Sequence, residues 1–166
     1  MNIIINFVAK DDIDKLIEVY SEWLKFKGML PAELTKVDTC EDLIKYFDGG
    51  DKTRKYLLAT DEKGLAVAAC YIDTTFLSLQ NIRLGDMMVK EKYRKHGIGS
   101  KLVDKVIEFA RENKCQKIWL WSQEELKPAR SLYEKKGFVL ERTIKKQFCR
   151  KDTLLYGLIL SKEQTP

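Results

Sequence analysis

The segment Val89-Lys90-Glu91-Lys92-Tyr93-Arg94-Lys95-His96-Gly97-Ile98-Gly99-Ser100 constrains this chain more than any other. An apolar run from Ile82 to Val89 enters it and reads as a strand. A run from Ser100 to Glu112, with Leu102, Val103, Val106, Ile107 and Ala110 on one face, leaves it and reads as an amphipathic helix. Gly97 and Gly99 carry no Cβ, so the backbone between the two elements can turn tightly and aim several N–H groups at one point. The helix N-terminus adds unpaired N–H groups and the positive end of its dipole. An anionic, phosphate-bearing ligand suits such a turn.

Two familiar phosphate loops do not fit. A dinucleotide fingerprint needs G-x-G-x-x-G, and the third glycine position is Leu102. A P-loop needs Gly-Lys-Ser or Gly-Lys-Thr, whereas Gly99 is followed by Ser100-Lys101, the reverse order. A second constellation lies downstream, after an apolar strand Lys117-Ile118-Trp119-Leu120-Trp121. Pro128-Ala129-Arg130-Ser131-Leu132-Tyr133-Glu134-Lys135-Lys136-Gly137-Phe138 reads as a short helix that opens at a proline, ends at a C′ glycine and passes into a strand.

The spacing R-x-x-G-x-G over Arg94–Gly99 resembles the pyrophosphate loop of the GNAT superfamily of acyl-CoA N-acyltransferases. The downstream segment resembles that family's A-x-x-L-Y-x-x-x-G-F pattern, in the right order and context. The motifs cover Ile82 to Phe138; outside them the likeness is one of element order. The resemblance implies an α+β fold, with a central mixed, mostly antiparallel, splayed sheet flanked by helices, as one N-acetyltransferase domain spanning 1–166. It implies acetyl-CoA as co-substrate and an amine as acceptor. In this family the pantetheine arm hydrogen-bonds exposed strand backbone, here that of Met87, Met88 and Val89. The pyrophosphate would sit on N–H groups of Lys95, His96, Gly97, Ile98, Gly99 and Ser100, with Arg94 shaping the loop. Both methionines also read as core.

Tyr133 falls where many relatives place a general acid near the CoA sulfur. A phenol with its ordinary pKa of about 10 keeps its proton at neutral pH and can give it to a departing thiolate. Packing, or a hydrogen bond to the sulfur, is the alternative. Asp86 is the candidate base or amine anchor, against a structural hydrogen-bonding role; strand alternation places it on the face of Met88, opposite Met87. Some polyamine and amino-sugar acetyltransferases carry two acids there, and this chain has Gly85-Asp86. Glu124 and Glu125 are weaker candidates. Many relatives have an asparagine at the place of Leu126, whose side chain offers no amide to the pantetheine. His96, the sole histidine, reads as an exposed loop residue.

Composition narrows the remaining classes. At 166 residues and 45% hydrophobic content the chain can bury one sizeable core. No apolar run approaches about 20 residues, and the N-terminus lacks the parts of a signal peptide. Cys40, Cys70, Cys115 and Cys149 form no C-x-x-C pair, so the expectation is reduced thiols, no metal and a cytoplasmic protein. The net charge of +5 suits a polyanionic ligand but equally a solvated surface. The basic cluster Arg142 to Lys151 reads as a hairpin rather than a nucleic-acid patch.

The remaining elements read as a strand at Asn2 to Val8 and a helix capped by Asp11 or Asp12, carrying Ile13, Leu16, Ile17, Tyr20, Trp23 and Leu24. A second helix from Cys40 to Phe47 stops at Gly49-Gly50. Strands at Arg54 to Thr60 and Leu65 to Asp73 are joined by a turn at Asp61–Gly64, and two more follow Phe138. The leading function is an acetyl-CoA-dependent N-acetyltransferase; the alternatives are a catalytically weak acyl-CoA sensor of the same fold and a basic nucleic-acid protein. The acceptor and acyl preference are not legible, and a homodimer, common among relatives, is compatible.

Overall fold

The computed structural model describes residues 2–22, 53–148 and 150–160. Among them are seven strands: Ile3–Phe7 (β1), Arg54–Asp61 (β2), Ala66–Asp73 (β3), Asn81–Val89 (β4), Lys117–Gln123 (β5), Val139–Phe148 (β6) and Lys151–Ile159 (β7). The helices are Ile13–Tyr20 (α1), Ile98–Glu112 (α2) and Lys127–Lys135 (α3). The sheet order is β1-β2-β3-β4-β5-β7-β6. Its β4–β5 pair is parallel, while β1–β2, β5–β7 and β6–β7 are antiparallel, giving the mixed α+β architecture expected. The expected helix from Cys40 to Phe47 and residues Trp23 and Leu24 lie outside the described residues.

The chain divides into two compact units, the first of residues Met1–Tyr71 with Asp86–Leu102. There α1 buries Ile13, Leu16 and Tyr20 of the expected stripe together with Val19, while Ile17 is half-buried. Leu16 and Val19 are fully buried and pack with Tyr56, Leu58, Ala69, Tyr71 and Met88. Each such aliphatic side chain contributes roughly 1.5–3 kcal/mol of burial free energy. Asp12 occupies the N-cap but makes no capping bond; its carboxylate pairs instead with Lys15 at 3.0 Å, after a 3-10 turn at Lys10–Asp12. The β2–β3 turn forms as the sequence predicts. Asp61 Oδ1 accepts the amides of Lys63 and Leu65, both at 2.9 Å, and thereby closes the hairpin.

The second unit comprises Ile72–Gly85 and Val103–Pro166. Here β5 pairs with β7 along its whole length, from Lys117 with Ile159 to Gln123 with Thr153. Two cations of the basic hairpin of β6 and β7 are paired: Lys145 meets Asp152 at 2.6 Å within it and Lys151 meets Glu125 at 3.1 Å outside it, while its Glu141 meets Lys117 of β5 at 2.7 Å.

The C-terminus of α3 closes as its glycine predicts. Gly137 has φ +88, and the amides of Phe138 and Gly137 bond the carbonyls of Tyr133 and Glu134, each at 3.0 Å. Replacing Gly137 by alanine is expected to lower stability by about 1–2 kcal/mol, because a Cβ disfavours this left-handed backbone. Chemical denaturation reads the loss; an unchanged midpoint would mean that the turn does not depend on glycine.

Candidate active site

The site begins where β4 changes character. Its ladder to β5 joins Asn81–Arg83 to Lys117–Trp119. Leu84 and Gly85 are then buried in succession, Asp86 is exposed with φ +43, and Met88 is buried again. Consecutive buried residues followed by a left-handed one break the two-residue alternation, as a bulge does. The expectation that Asp86 shares a face with Met88 is therefore corrected: the bulge leaves Asp86 exposed while Met88 enters the core.

The strand then delivers the chain into the glycine turn, all within the first unit. The Lys90 amide bonds the Val67 carbonyl at 2.9 Å, and the buried Lys90 ammonium reaches Glu18 of α1 at 2.5 Å. The Glu91 amide bonds Glu22 at 3.0 Å. Arg94 Nε donates to the Val89 carbonyl at 3.0 Å, so this guanidinium folds back and fixes the turn against the strand end. Lys95 (φ +64) and Gly97 (φ +76) are left-handed, and α2 starts directly at Ile98, two residues earlier than the periodic pattern predicts. Ile98 is buried and anchors that first turn.

Among the described residues none accepts the amides of Lys95, His96, Gly97, Ile98, Gly99 or Ser100. The first amide with a partner is that of Lys101, bonded to the Gly97 carbonyl at 3.1 Å. Lys95, His96 and Gly97 are exposed, Gly99 and Ser100 half-buried. A run of unpaired donors at the head of a 15-residue helix, with two left-handed residues among them, is the arrangement that binds phosphate. His96 is exposed, as its loop position predicts.

Around Asp86 the same unit places a cluster that no local spacing announces. The Tyr56 and Tyr71 rings lie 5.6 Å apart, and those of Tyr20 and Tyr56 6.3 Å apart. The Arg54 guanidinium stands 5.1 Å over the Tyr71 ring. Burial, and then the Asp86 carboxylate, hold the Tyr20 phenol well above its ordinary pKa, so it stays protonated. Burial pulls Arg54 down, but its hydrogen bond to Tyr56 and the fields of Tyr71, Tyr56 and Asp86 outweigh it and fix the positive charge.

Tyr133 belongs to the second unit. It is 7% exposed, with ring centroids 5.9 Å from Phe138 and 6.4 Å from Tyr156. Helix α3 is pinned by a short network: Arg130 donates to the Tyr156 hydroxyl at 3.1 Å and to the Glu124 carbonyl at 3.1 Å, and Tyr156 donates to Glu134 at 2.9 Å. This fixes the helix on either side of Tyr133. Leu126 is the N-cap of α3 and makes no capping bond, a place where asparagine is among the preferred residues.

Other groups are less suited to the chemistry. Glu125 is held below the usual carboxylate range, by a backbone hydrogen bond and then by Lys151, which weakens it as a base. Cys70 and Cys115 are buried thiols whose pKa burial pushes up, which disfavours either as a nucleophile. Among the described residues no cluster of three or more His, Cys, Asp or Glu can hold a metal, and no helix is long and apolar enough to cross a membrane.

With this geometry in view, comparison with known proteins gives the class. Residues 16–138 match the acetyltransferase (GNAT) family, and the chain belongs to it. Acetyl transfer, with acetyl-CoA as co-substrate, is the chemistry of that family. An uncharacterized N-acetyltransferase of Archaeoglobus fulgidus is 28% identical over 116 residues, which are 68% of this chain and 76% of that protein. The uncharacterized N-acetyltransferase MJ1207 of Methanocaldococcus jannaschii is 26% identical over 142 residues, 83% of this chain but only 61% of that protein. Among solved structures, an N-acetyltransferase from Staphylococcus aureus Mu50 superposes with a TM-score of 0.80 at 16% identity, covering 97% of this chain and all of that one. The yncA structure from Salmonella typhimurium with its cofactor acetyl-CoA gives 0.78 at 14%, covering 100% and 98%. At such identities the likeness is one of fold.

Proposed function

We propose that this protein, read as one domain over 1–166, is an N-acetyltransferase that moves the acetyl group of acetyl-CoA to a primary amine by direct attack on the thioester. The run of amides from Lys95 to Ser100 at the head of α2, for which the described residues hold no acceptor, carries the reading, because it supplies several preorganised donors for a diphosphate. Arg94 holds the turn from within. Backbone of Met87, Met88 and Val89 serves the pantetheine arm, with Val89 acting through its amide because its carbonyl already accepts Arg94.

The acceptor ammonium gives a proton to Asp86, directly or through water. The amine lone pair forms the C–N bond to the thioester carbonyl, and the C–S bond breaks. Sulfur takes the bonding pair and receives the Tyr133 proton; the second nitrogen proton restores the Tyr133 phenol, directly or through water, and Asp86 releases its proton to solvent. Among the described residues the thiols are those of Cys70 and Cys115, whose burial disfavours either as an acetyl acceptor.

The test is thiol release from acetyl-CoA across a panel of amines. Amine-dependent CoA formation with intersecting initial-velocity lines is expected; acetyl-CoA binding without thiol release to any amine would contradict transfer. Asp86→Asn is expected to lower kcat/KM about 10²–10⁴-fold and remove the acidic limb of its pH profile, with acetyl-CoA affinity kept. An unchanged profile would dismiss Asp86 as base.

A further inference from the structure

Helix α1 reaches the glycine turn from outside the site. The chain that leads into the turn is tied down at each residue from Val89 to Glu91. The Val89 carbonyl accepts Arg94 Nε at 3.0 Å, and the Lys90 amide bonds the Val67 carbonyl of β3 at 2.9 Å. The other two ties come from α1 and the residues just after it. Glu18 accepts the Lys90 ammonium at 2.5 Å, and Glu22 accepts the Glu91 amide at 3.0 Å. A 3-10 turn at Glu91–Tyr93 hangs from these points, its Tyr93 and Arg94 amides on the Lys90 and Glu91 carbonyls at 2.9 and 3.2 Å. Lys95, the first residue of the run of amides, follows directly.

The two acids act differently. The Lys90 side chain is 6% exposed and that of Glu18 61%. Without Glu18 the buried ammonium loses this counter-charge, and it regains solvation only by turning outward and moving the backbone that carries it. Without Lys90, Glu18 is simply solvated. Glu22 gives a main-chain donor a charge-assisted bond, which sets the direction in which the chain leaves β4. Amides bind a diphosphate well only when they already converge on it, and the contacts that hold their backbone decide this. We infer that Glu18 and Glu22 are positioning residues for acetyl-CoA. They touch no ligand; they hold the Lys90–Glu91 step so that the amides from Lys95 to Ser100 point at the diphosphate. This rests on the reading of those amides given above.

The experiment titrates variants with acetyl-CoA and with S-acetylpantetheine, which lacks the diphosphate, and reads how much more tightly the first binds. Glu18→Ala is expected to lower that advantage about 10-fold by weakening acetyl-CoA alone. Adding Lys90→Met, which keeps a buried stem and removes the charge, is expected to recover most of the loss. Glu22→Ala is expected to lower the advantage about 3- to 10-fold, and Glu22→Gln, whose amide oxygen accepts the same bond, to keep it. A merely structural role would weaken both ligands alike, and that result would overturn the inference. So would an unchanged advantage in Glu18→Ala and Glu22→Ala, or a Glu18→Ala/Lys90→Met protein no better than Glu18→Ala. If Glu18→Ala folds poorly, the two Glu22 variants read the same claim. A wild-type protein that binds both ligands equally would instead contradict the amide reading itself.

Discussion

Replacing Tyr133 by phenylalanine is expected to lower kcat by about 10²–10⁴-fold while leaving acetyl-CoA affinity unchanged. The substitution removes one oxygen and keeps the ring that meets Phe138 and Tyr156. The Arg130–Tyr156–Glu134 network that holds α3 does not include the Tyr133 hydroxyl, so the helix keeps its anchors. If the phenol protonates the leaving thiolate, the deficit should shrink for thioesters of more acidic thiols, whose departure needs less help. Steady-state kinetics on such a series measures this directly. A kcat within about twofold of wild type, or a deficit indifferent to the leaving thiol, would leave Tyr133 a packing residue.

The second large effect concerns the turn. Gly97 has φ +76, and a Cβ built there meets nothing within 4 Å. A Cβ is therefore not itself obstructed; the strain lies in the backbone conformation. A β-branched residue in the left-handed region costs on the order of 1–3 kcal/mol, whereas asparagine tolerates it. Gly97→Val is expected to weaken acetyl-CoA binding about 10- to 100-fold, and Gly97→Asn to retain most of it. Calorimetric titration of both variants provides the comparison. Equal losses would point to sterics or lost flexibility; no loss in either would show that the turn does not hold the ligand.

Much of this was legible because it rests on local chemistry. The glycine at 97 and the C′ glycine at 137 each mark a left-handed residue, and both are found there. Of the stripe Leu102, Val103, Val106, Ile107 and Ala110, all but the half-buried Ile107 are fully buried. Asp86 was misplaced because a two-residue alternation contains no record of a bulge: one left-handed residue re-faces everything after it. The unit helix-cap rule likewise failed at Asp12, whose carboxylate found Lys15 instead. Lys90 is 5% exposed and bound to Glu18, a partner 72 residues away that no local pattern records. The Tyr20–Tyr56–Tyr71 cluster with Arg54 is equally nonlocal, since its members lie on α1, β2 and β3.

The most direct measurement compares the affinity of the protein for acetyl-CoA with that for S-acetylpantetheine, which has the same thioester and arm but no diphosphate. If the amides from Lys95 to Ser100 hold the diphosphate, acetyl-CoA binds at least about 100-fold more tightly, and Gly97→Val removes most of that advantage while leaving the truncated ligand unaffected. Equal affinities for the two ligands, or no affinity for either, would contradict the account.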